Sequence, residues 1–592
     1  MLSAMRPAPH LLATAALCLS AAAAQAAVVG KVEIRGLDEA MTENVRLSLS
    51  LVESIGKDVS GRRMAYLVRE AEDETREALA PFGYYSPEIQ VERDRSNGVV
   101  TITVIPGEPV RVRNSTVAIE GGAERDRYMR EEVAAFAPGP GAIFDSSLYE
   151  SSKTRISRRL AERGYFDADF LSRRVEVTRA EHAADIDLRW SSGVRYDMGH
   201  VGFEQTPNQI IDPALLGKLV YWDEGSYYHQ GKLDRLRTSL VSLDYFSRIE
   251  IEPRTDEAAV ADDGSKRVPV KVTLTPAKRS IYTAGLSYGT DSGAGVRLGL
   301  ERRYVNKRGH KALAQVDFAQ KRKTATVQYR IPAFAWLDGW YTASVQLADE
   351  QTDYMDNRRV EFVASRSGQV DRKLNAVASL HVLRERWAYT GDLDHPGYRY
   401  GSFTFPSLRA EYVDADDRLY PRKGLGGSVL LRGAHEGLGS DAGFLQAHAR
   451  ASWFKGVGTR SRLIVRGELG HTFTGEVVDM PPSLRFFAGG DRSIRGYGYR
   501  EVGPRIGDFG LGGKNVVTTS LEFERYFNES WGAAVFVDSG SAFNGKDPDM
   551  HTGVGIGVRW RSPVGPVRID IARGLDDPRS PFTIGLNIGA DL

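Results

Sequence analysis

His551-Thr552-Gly553-Val554-Gly555-Ile556-Gly557-Val558-Arg559-Trp560-Arg561 alternates with a period of two. On an extended strand, Val554, Ile556, Val558 and Trp560 share one face, while glycines and arginines occupy the other. A strand this long, wholly apolar on one side and polar or glycine on the other, has the pattern of a segment that crosses lipid. The pattern recurs downstream. Val567, Ile569 and Ile571 oppose Arg568, Asp570 and Ala572; Phe582, Ile584, Leu586 and Ile588 oppose Thr583, Gly585, Asn587 and Gly589. Soluble sandwiches use strands of about 5 to 6 residues and bury the apolar face, so a transmembrane barrel is the better reading. No helical segment follows the glycines, which excludes a dinucleotide-binding turn. Lipid offers the backbone no hydrogen-bond partners, so such a sheet has to close. Residues 279–592 accommodate about sixteen antiparallel strands at roughly twenty residues per strand and loop.

Upstream of residue 279 a long repeat replaces this alternation. Leu79, Gly83, Tyr84 and Tyr85 recur as Leu160, Gly164, Tyr165 and Phe166, and again as Leu240, Asp244, Tyr245 and Phe246. A short alternating strand stands ahead of each set: Val32-Glu33-Ile34, Val117-Ala118-Ile119 and Val201-Gly202-Phe203. Segments 64–79 and 149–160 carry apolar residues at helical spacing. Each is expected to stop at a residue tolerant of left-handed backbone, Gly83 or Gly164, with Asp244 a weaker version. The aromatic pair then leads into a strand (89–93, 249–253), and a second strand closes the unit (99–104, 186–190, 268–275). The order is β-α-α-β-β, three times. Taken singly, each ring's simplest role is to pack helix on sheet. The unit resembles the polypeptide-transport-associated (POTRA) domain over residues 28–278. That resemblance implies an exposed sheet edge to which an unfolded client adds as a strand.

Composition limits the alternatives. Residues 1–27 open with Arg6, continue through the apolar stretch 11–24 and reach Ala24-Gln25-Ala26, as a cleavable signal peptide does. About 14 apolar residues are too few to span a bilayer. Cleavage after Ala26 removes Cys18, the one cysteine, and with it disulfide and thiol chemistry. The 78 basic and 77 acidic side chains leave no global charge for nucleic acid. No histidine pair has metal-ligand spacing, and no constellation argues for catalysis, cofactor or metal. The expected division is a leader over 1–26, POTRA units over 27–108, 109–193 and 194–278, and a barrel over 279–592.

One connection is exceptional. Between the strands at 463–470 and 516–524 lies a segment long enough to be functional or disordered. It contains Arg485-Phe486-Phe487-Ala488-Gly489-Gly490-Asp491-Arg492-Ser493-Ile494-Arg495-Gly496-Tyr497, too aromatic for disorder. Alternation places Leu521 and Phe523 toward lipid and so turns Glu522 inward; Val535 and Val537 likewise turn Asp538 inward. Two inward carboxylates on adjacent strands call for a cation, and Arg495 on an inward-folding loop offers a forked donor to both. Gly496 lets the loop backbone approach the wall. Any single lumen charge has the simpler alternative of solvation in the channel.

Ile494-Arg495-Gly496-Tyr497, together with Gly489 and Gly490, resembles the sixth-loop motif of the superfamily that includes BamA, TamA and the two-partner-secretion transporters. Three further matches follow in order: Ser520-Leu521-Glu522-Phe523, Phe536-Val537-Asp538-Ser539-Gly540 and Ser562-Pro563-Val564-Gly565-Pro566. The resemblance implies an outer-membrane protein with a periplasmic arm, in which the anchored loop holds the barrel while its first and last strands part toward lipid. Those strands would be 281–290 and 582–590. Three repeats suit the TamA-like branch, against five or two elsewhere, and Leu592 suits it better than the terminal Phe of many barrels. The implied function is insertion of autotransporters and other barrel clients. Implied partners are a TamB-like inner-membrane-anchored protein, unfolded outer-membrane clients and outer-membrane lipid. The alternative is a two-partner-secretion-type exporter passing a substrate through the pore; a barrel enzyme lacks a catalytic group.

Overall fold

The computed structural model describes residues 27–588 apart from 95, 263, 290–292, 335–338, 352–354, 390–396, 476, 507–508, 563–564 and 577–581. The expected leader, Leu592 and the center of the 562–566 hairpin therefore lie outside the described residues.

Three small sheets with helices occupy the N-terminal part. In the first, strand Lys31–Arg35 pairs in parallel with Val99–Ile105, which pairs antiparallel with Glu88–Arg93. The second repeats this with Arg111–Glu120, Ala183–Ser191 and Asp169–Thr178. In the third, Lys266–Pro276 is central, flanked by Asp197–Gln205 and Phe246–Pro253. The helices form where the sequence supplies both a cap and a stripe. Ser60 caps Gly61–Leu79, which buries Met64, Leu67, Ala71 and Ala78; Asp145 caps Ser146–Glu162, which buries Tyr149, Ile156 and Leu160. The stops are left-handed at all three repeat positions: φ is 90° at Gly83, 87° at Gly164 and 55° at Asp244. Tyr165 and Tyr245 are buried, and Tyr84 packs on the first core. The first unit is richer than β-α-α-β-β, with an extra helical turn at Ser50–Glu53. Extended Leu49 separates that turn from Glu39–Ser48, and Leu51 is buried under it.

A 16-stranded antiparallel sheet follows. Its strands are Ser280–Gly289 (β1), Gly293–Arg302 (β2), Lys311–Ala319 (β3), Arg322–Ala333 (β4), Gly339–Gln351 (β5) and Met355–Gln369 (β6). Next come Leu374–Tyr389 (β7), Arg399–Ala415 (β8), Lys423–Ala434 (β9), Phe444–Val457 (β10) and Ser461–Thr474 (β11). The last five are Asn515–Tyr526 (β12), Trp531–Phe543 (β13), His551–Ser562 (β14), Gly565–Gly574 (β15) and Thr583–Ile588 (β16). Each strand pairs with its neighbor in sequence, and β1 and β16 approach within 8 Å across their Cα atoms. Among the described residues no ladder joins that last pair. Alternation is strict where it was quoted: Val554, Ile556, Val558 and Trp560 point outward, and Arg559 is buried inside. Among the described residues no helix is long and apolar enough to cross a membrane.

Candidate functional site: an arginine-anchored loop in the barrel

The connection from β11 to β12, residues 475–514, folds into the barrel rather than away from it. Ile494 and Tyr497 are buried against Ala488, Val502 and Ala542, the last on β13. Gly489 and Gly490 take φ of 98° and 101° at the turn into the tip. Gly496 has φ of 99°, and a Cβ there would lie 2.6 Å from the backbone of Arg573 on β15. A side chain at this position is excluded twice, by conformation and by space. Opposite it, Gly553 on β14 leaves room for the Arg495 carbonyl, which any Cβ would overlap. Tyr497 donates from its hydroxyl to the Thr552 carbonyl (3.2 Å) and to Asp576 (3.0 Å).

Arg495 is thereby placed over the inner faces of β12, β13 and β15. Its Nε and Nη2 grip Asp538 at 2.7 and 2.9 Å, a two-point fork, and its backbone N–H adds a third bond at 3.1 Å. Nη1 donates to Glu522 at 2.9 Å and to Asp570 at 3.2 Å, and Nη2 reaches the Ser520 hydroxyl at 3.3 Å. The guanidinium lies 3.3 Å from the center of the Phe536 ring. Gly540, on the same strand as Asp538, pairs with Thr518 and His551 in the wall beside the site.

The cluster is larger than one arginine between two acids. Arg559 donates to Glu522 (2.6 Å), Glu524 (2.9 Å) and Asp570 (2.6 Å). Arg462 on β11 holds the other oxygen of Glu524 at 2.7 Å, and Arg466 reaches Glu522 at 3.1 Å. Four guanidiniums thus meet four carboxylates, and Arg568 lines the same cavity of about 400 Å³. Glu522 and Glu524 are 0% exposed and Asp538 and Arg559 1%, so water screens these charges little. Glu522 and Asp538 stand where alternation places them, but the expected trio omits half the acids. Asp570 and Glu524 share the lumen face with them, and the cluster's other arginines arrive from β14 (Arg559) and β11 (Arg462 and Arg466). Alternation marks Arg559 and Asp570 as inward; it does not say that the loop meets their strands. Among the described residues no group of metal-ligating side chains is poised for an ion.

Residues 305–590 match the Omp85 superfamily domain, residues 31–106 the first POTRA domain of TamA, and residues 112–189 a POTRA unit described as a surface antigen variable number repeat. The chain is a POTRA-plus-barrel protein of the Omp85 superfamily. It is similar to the outer membrane protein assembly factor BamA of Nitratidesulfovibrio vulgaris, 22% identical over 74% of this chain and 56% of that protein. The match thus spans little more than half of that relative's length. A second BamA, from Neorickettsia risticii, is also 22% identical, over 86% of this chain and 70% of that protein. Among solved structures, BamA from Haemophilus ducreyi lacking POTRA domains 1–3 superimposes with a TM-score of 0.65 at 15% identity, over 81% of this chain and 99% of that one, a likeness of fold. As an Omp85 protein the chain sits in the outer membrane with its POTRA units on the periplasmic side. Because β1 follows those units directly in the chain, their periplasmic location implies that β1 begins at the periplasmic end and that the turns after odd-numbered strands are extracellular.

Proposed function

We propose that this Omp85 protein is a TamA-like insertase that assembles autotransporters and other barrel proteins through a gate between β1 and β16. The observation that carries the reading is the contrast around the sheet. Fifteen neighboring pairs share hydrogen-bonded ladders, and among the described residues β1 and β16 share none although they lie side by side. An unpaired strand edge facing lipid is costly and accepts another strand. Arg495, with Ile494, Gly496 and Tyr497, fastens the loop to Glu522, Asp538 and the β14–β15 wall, so that the wall keeps its shape while the seam parts. The POTRA units, taken as 27–108, 109–193 and 194–278 ahead of a barrel over 279–592, would receive clients and a TamB-like partner in the periplasm. Insertion by this route uses no chemical step and no catalytic group.

The test is a cysteine pair placed across the seam, one on β1 and one on β16, in protein reconstituted into vesicles. Oxidation should stop insertion of an autotransporter barrel, and reductant should restore it. Insertion at an unchanged rate through the locked barrel would overturn the gate and favor passage through the pore.

A further inference from the structure

A row of directly paired residues crosses the outer face of six strands: Phe318, Lys323, Asp349, Arg358, Arg386 and Tyr400, on β3 to β8. Each belongs to the outward set of its strand, in phase with exposed Val316, Leu347, Val360, Val382 and Leu408. Each also lies near the extracellular end: Phe318, Asp349 and Arg386 close their odd-numbered strands, and Lys323, Arg358 and Tyr400 open their even-numbered ones. One row deeper come Val316, Ala325, Leu347, Val360 and Arg384. The next is apolar on β4 to β7, with Val327, Val345, Phe362 and Val382, and meets Thr404 on β8. A groove of about 640 Å³ joins the two upper rows, cations at its rim and Val316, Leu347 and Val360 along its floor.

Among the described residues the cations outnumber the carboxylates beside them. Arg358 stands 3.5 Å from Asp349, and Arg386 is 3.5 Å from Asp356. Among the described residues Lys323 lies 5.2 Å from the Phe318 ring and meets no carboxylate, and Arg384 meets none either. Cations on a lipid-facing wall are unfavorable unless they sit at the headgroup level and meet an anion there. Cations above an apolar groove complement an amphiphile whose phosphates sit over acyl chains.

We propose that this row binds the phosphorylated glycolipid of the outer leaflet. Lys323, Arg358 and Arg386 take its phosphates, Arg384 reaches up to them along its stem, and Val316, Leu347 and Val360 take its acyl chains. The site is independent of the loop and of the seam.

The full-length protein in detergent, titrated with bisphosphorylated lipid A and followed by native mass spectrometry, tests this. The wild type should bind it at least about tenfold more tightly than the dephosphorylated form, since each cation near a headgroup contributes about a factor of five. Combining Lys323→Gln, Arg358→Gln, Arg384→Gln and Arg386→Gln should abolish that preference, while Arg366→Gln, at the periplasmic end of the same wall, should leave it intact. Unchanged preference in the quadruple variant overturns the site. Equal binding of phosphatidylglycerol overturns it as well, because diffuse attraction to any anionic lipid would then suffice. Heat-dependent gel mobility reports folding; if the quadruple variant fails there, the double variant Lys323→Gln with Arg384→Gln decides, with the same two outcomes.

Discussion

The inner face of the barrel carries charge toward both ends of the sheet, yet holds it differently at the two. On β11 to β15, Glu522, Glu524, Asp538 and Arg559 are sealed from solvent: Glu522 and Asp538 meet Arg495 of the 475–514 loop, and Glu524 meets Arg462, which packs on Tyr420. On β2 and β3, Arg297 and Asp317 also pair across the lumen face, but their side chains are 56% and 31% exposed. The first set sits in a low-dielectric pocket where every charge depends on its partner's position; the second is screened by water. The loop makes the difference. By closing over this wall it turns an open polar surface into a buried ionic cluster, and rigidity follows from the cost of any unpaired charge.

The contrast is most easily broken at Arg559. Arg559→Ala leaves Glu522, Glu524 and Asp570 each short of a partner in a sealed site, and should destabilize the folded barrel by about 3 to 5 kcal/mol. Denaturant unfolding in lipid vesicles measures this, and the loss should persist at high salt. A loss below about 1 kcal/mol would mean that water reaches the cluster after all.

Arg495→Lys comes next. An ammonium keeps the charge but cannot make the two-point grip on Asp538 while also reaching Glu522 and Asp570. Losing charge-assisted bonds of this kind should cost about 2 to 3 kcal/mol, felt mainly as detachment of the loop. Faster hydrogen exchange over 488–498, with the strand ladders still protected, is the expected signature. Gly553→Ala acts on the same contact from the wall side. Its methyl group overlaps the Arg495 carbonyl, so loop and wall must separate, at about 1 to 3 kcal/mol. Protease cleavage within the loop should appear in this variant and not in the wild type; a loop that stays protected would show that the wall yields instead.

These sites show which structure the sequence carries on its surface. Glu522 and Asp538 were legible because apolar neighbors on both sides fix their facing, and a period of two leaves no third choice. The helix stops at Gly83, Gly164 and Asp244 were legible from the repeat, because the same local backbone requirement returns three times. The full ionic cluster was not. Arg462 and Arg466 lie on β11, read only as the strand before the loop, and nothing local distinguishes an arginine facing water from one facing Glu524 or Glu522. Pairing depends on which strands the loop covers, a long-range fact absent from any window of sequence. The turn at Ser50–Glu53 was missed for the opposite reason. It is too short to show a period, and only the burial of Leu51 marks it.

Arg297→Ala sharpens the comparison from the weak side. Arg297 and Asp317 are joined by a side-chain hydrogen bond, and Asp317 also accepts from Gln315 at 2.8 Å, so geometry alone would rank the pair beside Arg559 and Glu522. Exposure reverses that ranking. Water already solvates both charges, so removing one returns the other to solvent instead of stranding it, and the expected loss is under about 1 kcal/mol. Because the pair is exposed, even this small contribution should shrink as salt rises above physiological strength, whereas the Arg559 effect should not. Measuring both variants at low and high salt in the same vesicles separates the two regimes. Equal salt dependence would mean that the loop does not keep the C-terminal wall dry, and that the two halves of the lumen are electrostatically alike.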